Sequence, residues 1–164
     1  MTRASGVAVG RMAPDFALPT DGGEELRLSA LRGRWVVLYF YPTDDTPTCT
    51  TQACAFRDAF PRFEGLDAVI VGVSPDPVAS HRKFRDKHAL PFTLLADETH
   101  RVCSRYGVWK EKTLFGHTYM GVERTTVLID PAGRVARVFP RVRVPEHAAA
   151  VMAAIEEASG RARP

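Results

Sequence analysis

Cysteine is scarce in this sequence. Three residues in 164, unevenly placed, are too few for the disulfide framework of a small secreted domain, so in a reducing compartment each is either inert or chemical. Long apolar runs are missing as well. No stretch approaches the roughly eighteen apolar residues of a membrane span, and residues 1–16 contain no apolar segment of leader-peptide length. A cytoplasmic protein with no membrane partner is expected. Positive charge is present but not gathered: the net charge of +3 comes from Arg scattered along the chain, without a basic tract and stacking aromatics, which argues against nucleic acid as a partner. There is no internal repeat, linker or low-complexity segment. What remains, 45% hydrophobic and 25% charged residues, is the balance of a globular protein, and the length fits one domain over residues 1–164.

The run WVVLYFY, residues 35–41, is continuously apolar, β-branched and aromatic, which suits a strand buried on both faces. It stops at Pro42. Across a polar turn, residues 49–63 carry Ala53, Phe56, Phe60 and Phe63 at spacings of three and four, the pattern of an amphipathic helix. A second strand (67–73) leads to a helix ending near His88, with Asp76 as N-cap and Pro77 in its first turn. A short strand (92–96) and a helix capped by Asp97 follow. Residues 125–129 and 135–139 flank the turn Asp130-Pro131-Ala132-Gly133 and read as a hairpin. A last helix beginning at Pro145 places Ala148, Val151, Met152 and Ile155 on one face. Strand-helix units followed by a hairpin and a final helix imply an α/β protein of thioredoxin-like fold, a central mixed β-sheet flanked by helices.

Cys49 begins its helix, where unpaired backbone N–H groups and the positive end of the helix dipole favour an anion and hence a thiolate. A small buried hydrophobe is the competing reading, and position alone leaves both open. At about 100° per residue Cys49 lies on the face of Ala53 and Phe56, whereas Cys54 is turned roughly 140° away. Their Cα atoms in an intact helix would stand roughly 8–9 Å apart, beyond disulfide reach, so a bridge between them requires the first turns to unwind and should cost helicity. Cys103, beside an apolar helix side with no activating group in the sequence around it, reads as structural.

The segment PTDDTPTCTTQAC, residues 42–54, resembles the active-site loop of peroxiredoxins, specifically the peroxiredoxin Q group, also called bacterioferritin comigratory proteins. Residues 72–98 (GVSPDPVASHRKFRDKHALPFTLLADE), YGVW at 106–109 and GVERTTVLID at 121–130 resemble later blocks of that group in the expected order, and APDFALPTDGG resembles its start. The resemblance implies a peroxidase acting on hydrogen peroxide and alkyl hydroperoxides. It makes Cys49 the peroxidatic cysteine, Pro42 and Thr46 the rest of the loop motif, and Arg124 an arginine brought in from a distant strand. A thiolate attacking a peroxide needs a fixed cation, a hydroxyl able to donate and accept, and shelter from water. Backbone N–H groups of Thr48 and Cys49 would hold the peroxide oxygens. Cys54 occupies the position of the resolving cysteine, which condenses with the sulfenic acid, and the disulfide would be reduced by thioredoxin or a similar dithiol. The same resemblance implies a monomer with no metal or organic cofactor. Thr48 stands where the group usually has Gly, and Gln52 where it usually has Glu; the missing carboxylate favours the Cys49 thiolate.

Three alternatives are weaker. A thioredoxin-like disulfide oxidoreductase expects two residues between its cysteines, and here four separate Cys49 from Cys54. A metal module finds no ligand spacing among the cysteines, and His81, His88, His100, His117 and His147 read as solvated. A non-catalytic binding or chaperone protein on the same fold is the third. Arg137, Arg141 and Arg143 read as the solvated face of an alternating strand over 137–144.

Overall fold

The computed structural model describes residues 7–160, so the first six residues of the segment read for a leader, and residues 161–164, lie outside it. A short hairpin, β1 (Ala17–Pro19) and β2 (Glu25–Arg27), leads through a 3-10 turn to β3 (Trp35–Phe40), which feeds α1 (Pro47–Gly65). Next come β4 (Ala68–Ser74), α2 (Val78–His88), β5 (Thr93–Ala96) and the short α3 (Arg101–Arg105). A second hairpin, β6 (Trp109–Leu114) and β7 (His117–Val122), precedes β8 (Thr125–Ile129), β9 (Val135–Phe139) and α4 (His147–Ser159).

The central sheet has five strands in the order β5-β4-β3-β8-β9. Strand β3 runs parallel to β4 and antiparallel to β8, so the sheet is mixed, as the alternation of strands and helices implied. Its centre explains the unbroken apolar run. Successive side chains of a strand point to opposite faces. Val36, Leu38 and Phe40 enter one core with Phe16, Leu28, Val102, Cys103 and Tyr106, whereas Val37, Tyr39 and Tyr41 enter a second with Phe56, Phe63, Phe84, Val151 and Ile155. Cys49 belongs to the second core and Cys103 to the first, so the sheet stands between the two thiols.

Several boundaries differ from the sequence reading, each for a local reason. Helix α1 starts at Pro47, two residues early, because a proline without an N–H suits a first turn. Asp76 does not cap α2; the N-cap is Pro77, while the Asp76 carboxylate accepts the Asp44 N–H at 2.7 Å and the Ser74 hydroxyl at 2.6 Å. Asp97 is not the N-cap of α3, which is His100, but its carboxylate accepts the N–H groups of Val102 and Cys103 at 3.3 and 2.7 Å. Pro145 lies in a 3-10 turn, and α4 begins at His147. Strand β9 stops at Phe139, so Arg141, with φ of 47°, and Arg143 are not strand residues; Arg137 is, and its guanidinium lies 4.7 Å from the centre of the Phe139 ring. The hairpins β1–β2 and β6–β7 were not foreseen: the first strands have three residues each, and WKEKTL and HTYMGV lack an alternating buried face.

Gly72 of β4 sits between Tyr39 of β3 and Leu94 of β5. A Cβ there would meet Leu94 Cδ2 at 2.9 Å and carbons of the Tyr39 ring at 3.0 Å. Gly72→Ala is expected to cost about 1–3 kcal/mol through overpacking. Urea unfolding measures it, and an unchanged midpoint would contradict this packing.

Candidate active site

The central strand β3 leads the chain into α1 just beyond its C-terminal end. Tyr41 still bonds to the sheet, donating its N–H to the Val73 carbonyl at 3.0 Å. Half-buried Pro42 then turns the chain away. Thr46 is the N-cap of α1: its carbonyl accepts the Thr50 N–H at 2.8 Å, but its side chain caps nothing. The Thr46 hydroxyl instead donates to the Thr43 carbonyl at 3.0 Å, which leaves its lone pairs free to accept. First-turn N–H groups have no intrahelical acceptor, and Pro47 contributes none, so the amides of Thr48 and Cys49 mark the positive end of the helix.

Cys49 is 2% exposed and lies at this helix start. Arg124 reaches it from the two-residue link between β7 and β8, not from a strand as expected. Its Nη2 donates to Cys49 Sγ at 3.2 Å, and its Nη1 donates to Gln52 Oε1 at 2.6 Å. An arginine has no acceptor, so the carbonyl side of the Gln52 amide must face it. The amide nitrogen of Gln52 is then turned elsewhere; among the described residues it and the Tyr39 hydroxyl are the buried side-chain polar atoms without a partner. The guanidinium stabilises negative charge on the sulfur at close range.

Two neighbouring groups respond to that cation. Burial, and then the charge of Arg124, push the His147 imidazole down to about 4, so the ring is neutral at physiological pH and shares a hydrogen bond with the Thr126 hydroxyl at 2.7 Å. Lys112 of β6 is also lowered, by burial first and Arg124 second. Burial, with the charges of Cys49 and Asp44, drives the Tyr39 phenol well up, so it keeps its proton.

The structure thus joins Cys49 and Arg124 and sets Thr46 and Pro42 on the approach to α1. Cys54 lies half-exposed on α1, which is intact across both thiols, and all three cysteines are free. Gln52 had been noticed as a departure from the family pattern, but its bond to Arg124 spans 72 positions and no local spacing signals it.

The solvated reading of the histidines is corrected at two positions. His81 is fully buried, and His147 is 6% exposed, between the Phe56 and Phe139 rings. Both are enclosed by elements distant in sequence. Asp44, Asp76 and His81 bring ligand-type atoms within 4.8 Å of one another. The carboxylates already accept hydroxyl and backbone donors, which makes the group a hydrogen-bond network and not a vacant cation site.

Residues 9–138 match the AhpC/TSA family. The chain is 48% identical over 153 residues to the peroxiredoxin Bcp of Bacillus subtilis, covering 93% of this chain and 98% of that protein. It is 41% identical over 138 residues to the peroxiredoxin Bcp of Escherichia coli K12, covering 84% and 88%. Among solved structures it is similar to a Xanthomonas campestris bacterioferritin comigratory protein studied for its alkyl peroxide reduction activity (TM-score 0.87, 37% identity, 93% and 99% of the two chains covered). It is likewise similar to a peroxiredoxin Q of Xylella fastidiosa (TM-score 0.88, 34% identity, 93% and 98% covered).

Cys103 is fully buried, and burial together with the Asp97 carboxylate pushes its thiol far up. A thiol held protonated reacts slowly with electrophiles. In native reduced protein at near-neutral pH, iodoacetamide is therefore expected to label Cys49 and Cys54 and to spare Cys103 until denaturant is added. Peptide mass spectrometry reads the outcome, and prompt native labelling of Cys103 would contradict it.

Proposed function

Because the chain belongs to the AhpC/TSA family and is a thiol-dependent peroxidase of the Bcp type, we propose that Cys49 is its peroxidatic cysteine and Cys54 its resolving one. The observation that carries this reading is the fork of Arg124, one nitrogen on Cys49 Sγ and the other on Gln52. No other thiol among the described residues has an arginine donating to its sulfur.

The Cys49 thiolate attacks one peroxide oxygen, the O–O bond breaks, and the departing oxygen leaves with the electron pair and takes up a proton. Arg124 and the amides of Thr48 and Cys49 stabilise charge as it moves from sulfur to that oxygen. Thr46, whose own proton is on the Thr43 carbonyl, accepts the peroxide O–H. Pro42 shelters the pocket from water. The resulting sulfenic acid is attacked by the Cys54 thiolate; the S–S bond forms, the S–O bond breaks, and hydroxide leaves, taking up a proton from solvent to become water. Since α1 holds the two thiols on different faces, this step unwinds its first turns. Thioredoxin or a similar dithiol then reduces the disulfide by exchange. Hydrogen peroxide and alkyl hydroperoxides are the substrates, and the enzyme acts as a cytoplasmic monomer, with the whole chain one peroxiredoxin domain and no metal or organic cofactor.

Treating reduced protein with one equivalent of hydrogen peroxide and mapping its cysteines without reductant tests the assignment. A stoichiometric Cys49–Cys54 disulfide with Cys103 free is expected. Oxidised Cys49 with no intramolecular partner would remove Cys54 from its role, and an untouched Cys49 would sink the reading altogether. Arg124→Gln should lower the second-order rate with peroxide by about 10²-fold, as loss of a charge-stabilising donor does elsewhere.

A further inference from the structure

The link from β3 to α1 contains two consecutive aspartates, and α2 holds both. Asp44 turns inward and is 9% exposed. Its Oδ1 accepts the Tyr41 hydroxyl at 2.5 Å, while its Oδ2 accepts the Ser80 hydroxyl at 2.7 Å and lies 2.8 Å from Nδ1 of the buried His81. Asp45, at φ of 60°, turns outward to Lys87 Nζ at 2.8 Å and His88 Nε2 at 3.0 Å. Those hydrogen bonds, Lys87 first, hold its carboxyl below the usual range. Farther along α1, Arg57 Nη1 donates to the carbonyl of the same His88 at 2.9 Å. The segment between these ties, residues 46–56, contains both Cys49 and Cys54, and each of its ends is fastened to one helix.

The inner tie has a defined proton count. His81 Nε2 lies 2.9 Å from the Leu95 carbonyl, which can only accept, so that nitrogen carries a proton. Nδ1 faces a carboxylate oxygen, also an acceptor. A neutral ring would set its lone pair against buried negative charge, a clash that one further proton between Nδ1 and Asp44 Oδ2 would remove. The Tyr41 hydroxyl, 3.4 Å from Nδ1, does not supply it, because its proton is on Asp44 Oδ1. Asp76 does not either: its carboxylate accepts the Ser74 hydroxyl and the Asp44 backbone N–H.

We propose that Asp44 and His81, joined through this second proton, are positioning residues for the peroxide reaction: they hold the loop of Pro42 and Thr46 in register with Cys49, and stay closed while α1 unwinds. The proposal rests on the reading of Cys49 as the nucleophile. Neither residue touches substrate. They act through the loop, where a displacement of about 1 Å is enough to slow a reaction substantially.

Two substitutions separate this from a general structural role. In Asp44→Asn, the amide NH2 can donate to a neutral His81 Nδ1 and to a Ser80 hydroxyl turned to accept, while its oxygen still accepts from Tyr41, so the geometry is kept without the second proton. Asp44→Ala removes the tie. Long-range proton–nitrogen NMR of the reduced full chain should show both His81 ring nitrogens protonated in the wild type and only Nε2 protonated in D44N. Stopped-flow kinetics should show the peroxide rate about tenfold or more lower in D44A and largely rescued in D44N. Labelling of Cys49 by iodoacetamide, which needs the thiolate but not the loop geometry, should not fall in D44A. A single ring proton on wild-type His81, or a D44A rate equal to wild type, overturns the proposal. The ring protons are read on wild type and D44N, so the test does not depend on D44A folding. A wild-type protein that labels with iodoacetamide yet ignores peroxide would sink the role of Cys49, with the clasp still decided by the ring protons.

Discussion

A sulfur that is buried and must carry negative charge needs a fixed cation beside it, and Arg124 is that cation. Most of the active-site architecture follows from the requirement. The link between β7 and β8 delivers the guanidinium to the start of α1, and Gln52, one turn beyond Cys49, orients it without neutralising it. His147 is kept neutral nearby, and the amides of the first helical turn, in which Cys49 lies, add partial positive charge. A glutamate in place of Gln52 would accept the same hydrogen bond but cancel part of the charge that the thiolate feels.

The same burial sets a conflict. Cys49 is in the core under the sheet, Cys54 is half-exposed, and an intact α1 holds them apart. In the proposed mechanism peroxide reduction needs α1 folded, because the folded helix supplies the amides and the Arg124 contact, and the proposed disulfide needs its first turns undone. Hydrogen bonds to α2 lie on either side of that segment, at Asp45 and at Arg57. Cys103 takes no part in this geometry, since the sheet lies between it and Cys49.

Much of the fold was legible because the central strands are apolar throughout and α1, α2 and α4 carry helical periodicity or end signals. The β6–β7 hairpin was not, since most of its residues are exposed and nothing buried imposes a period on them. Cys49 could be singled out from its place at a helix start, although only the family resemblance decided between nucleophile and core residue. Arg124 was legible through that resemblance alone, because 75 positions separate it from the sulfur it touches. His81 and His147 were misread for a related reason: nothing next to either in sequence signals enclosure, and the Leu95 carbonyl or the Phe139 ring that encloses it arrives from another element.

The measurement closest to the central claim is hydrogen exchange of the backbone amides, compared between the reduced protein and the protein after one equivalent of peroxide. The account predicts that protection is lost from Thr50 to about Cys54, where the first turns of α1 open, and retained at the Asp44 amide and in the central strands. Unchanged protection across α1 in fully oxidised protein would contradict it, because the two thiols would then have met without the helix giving way.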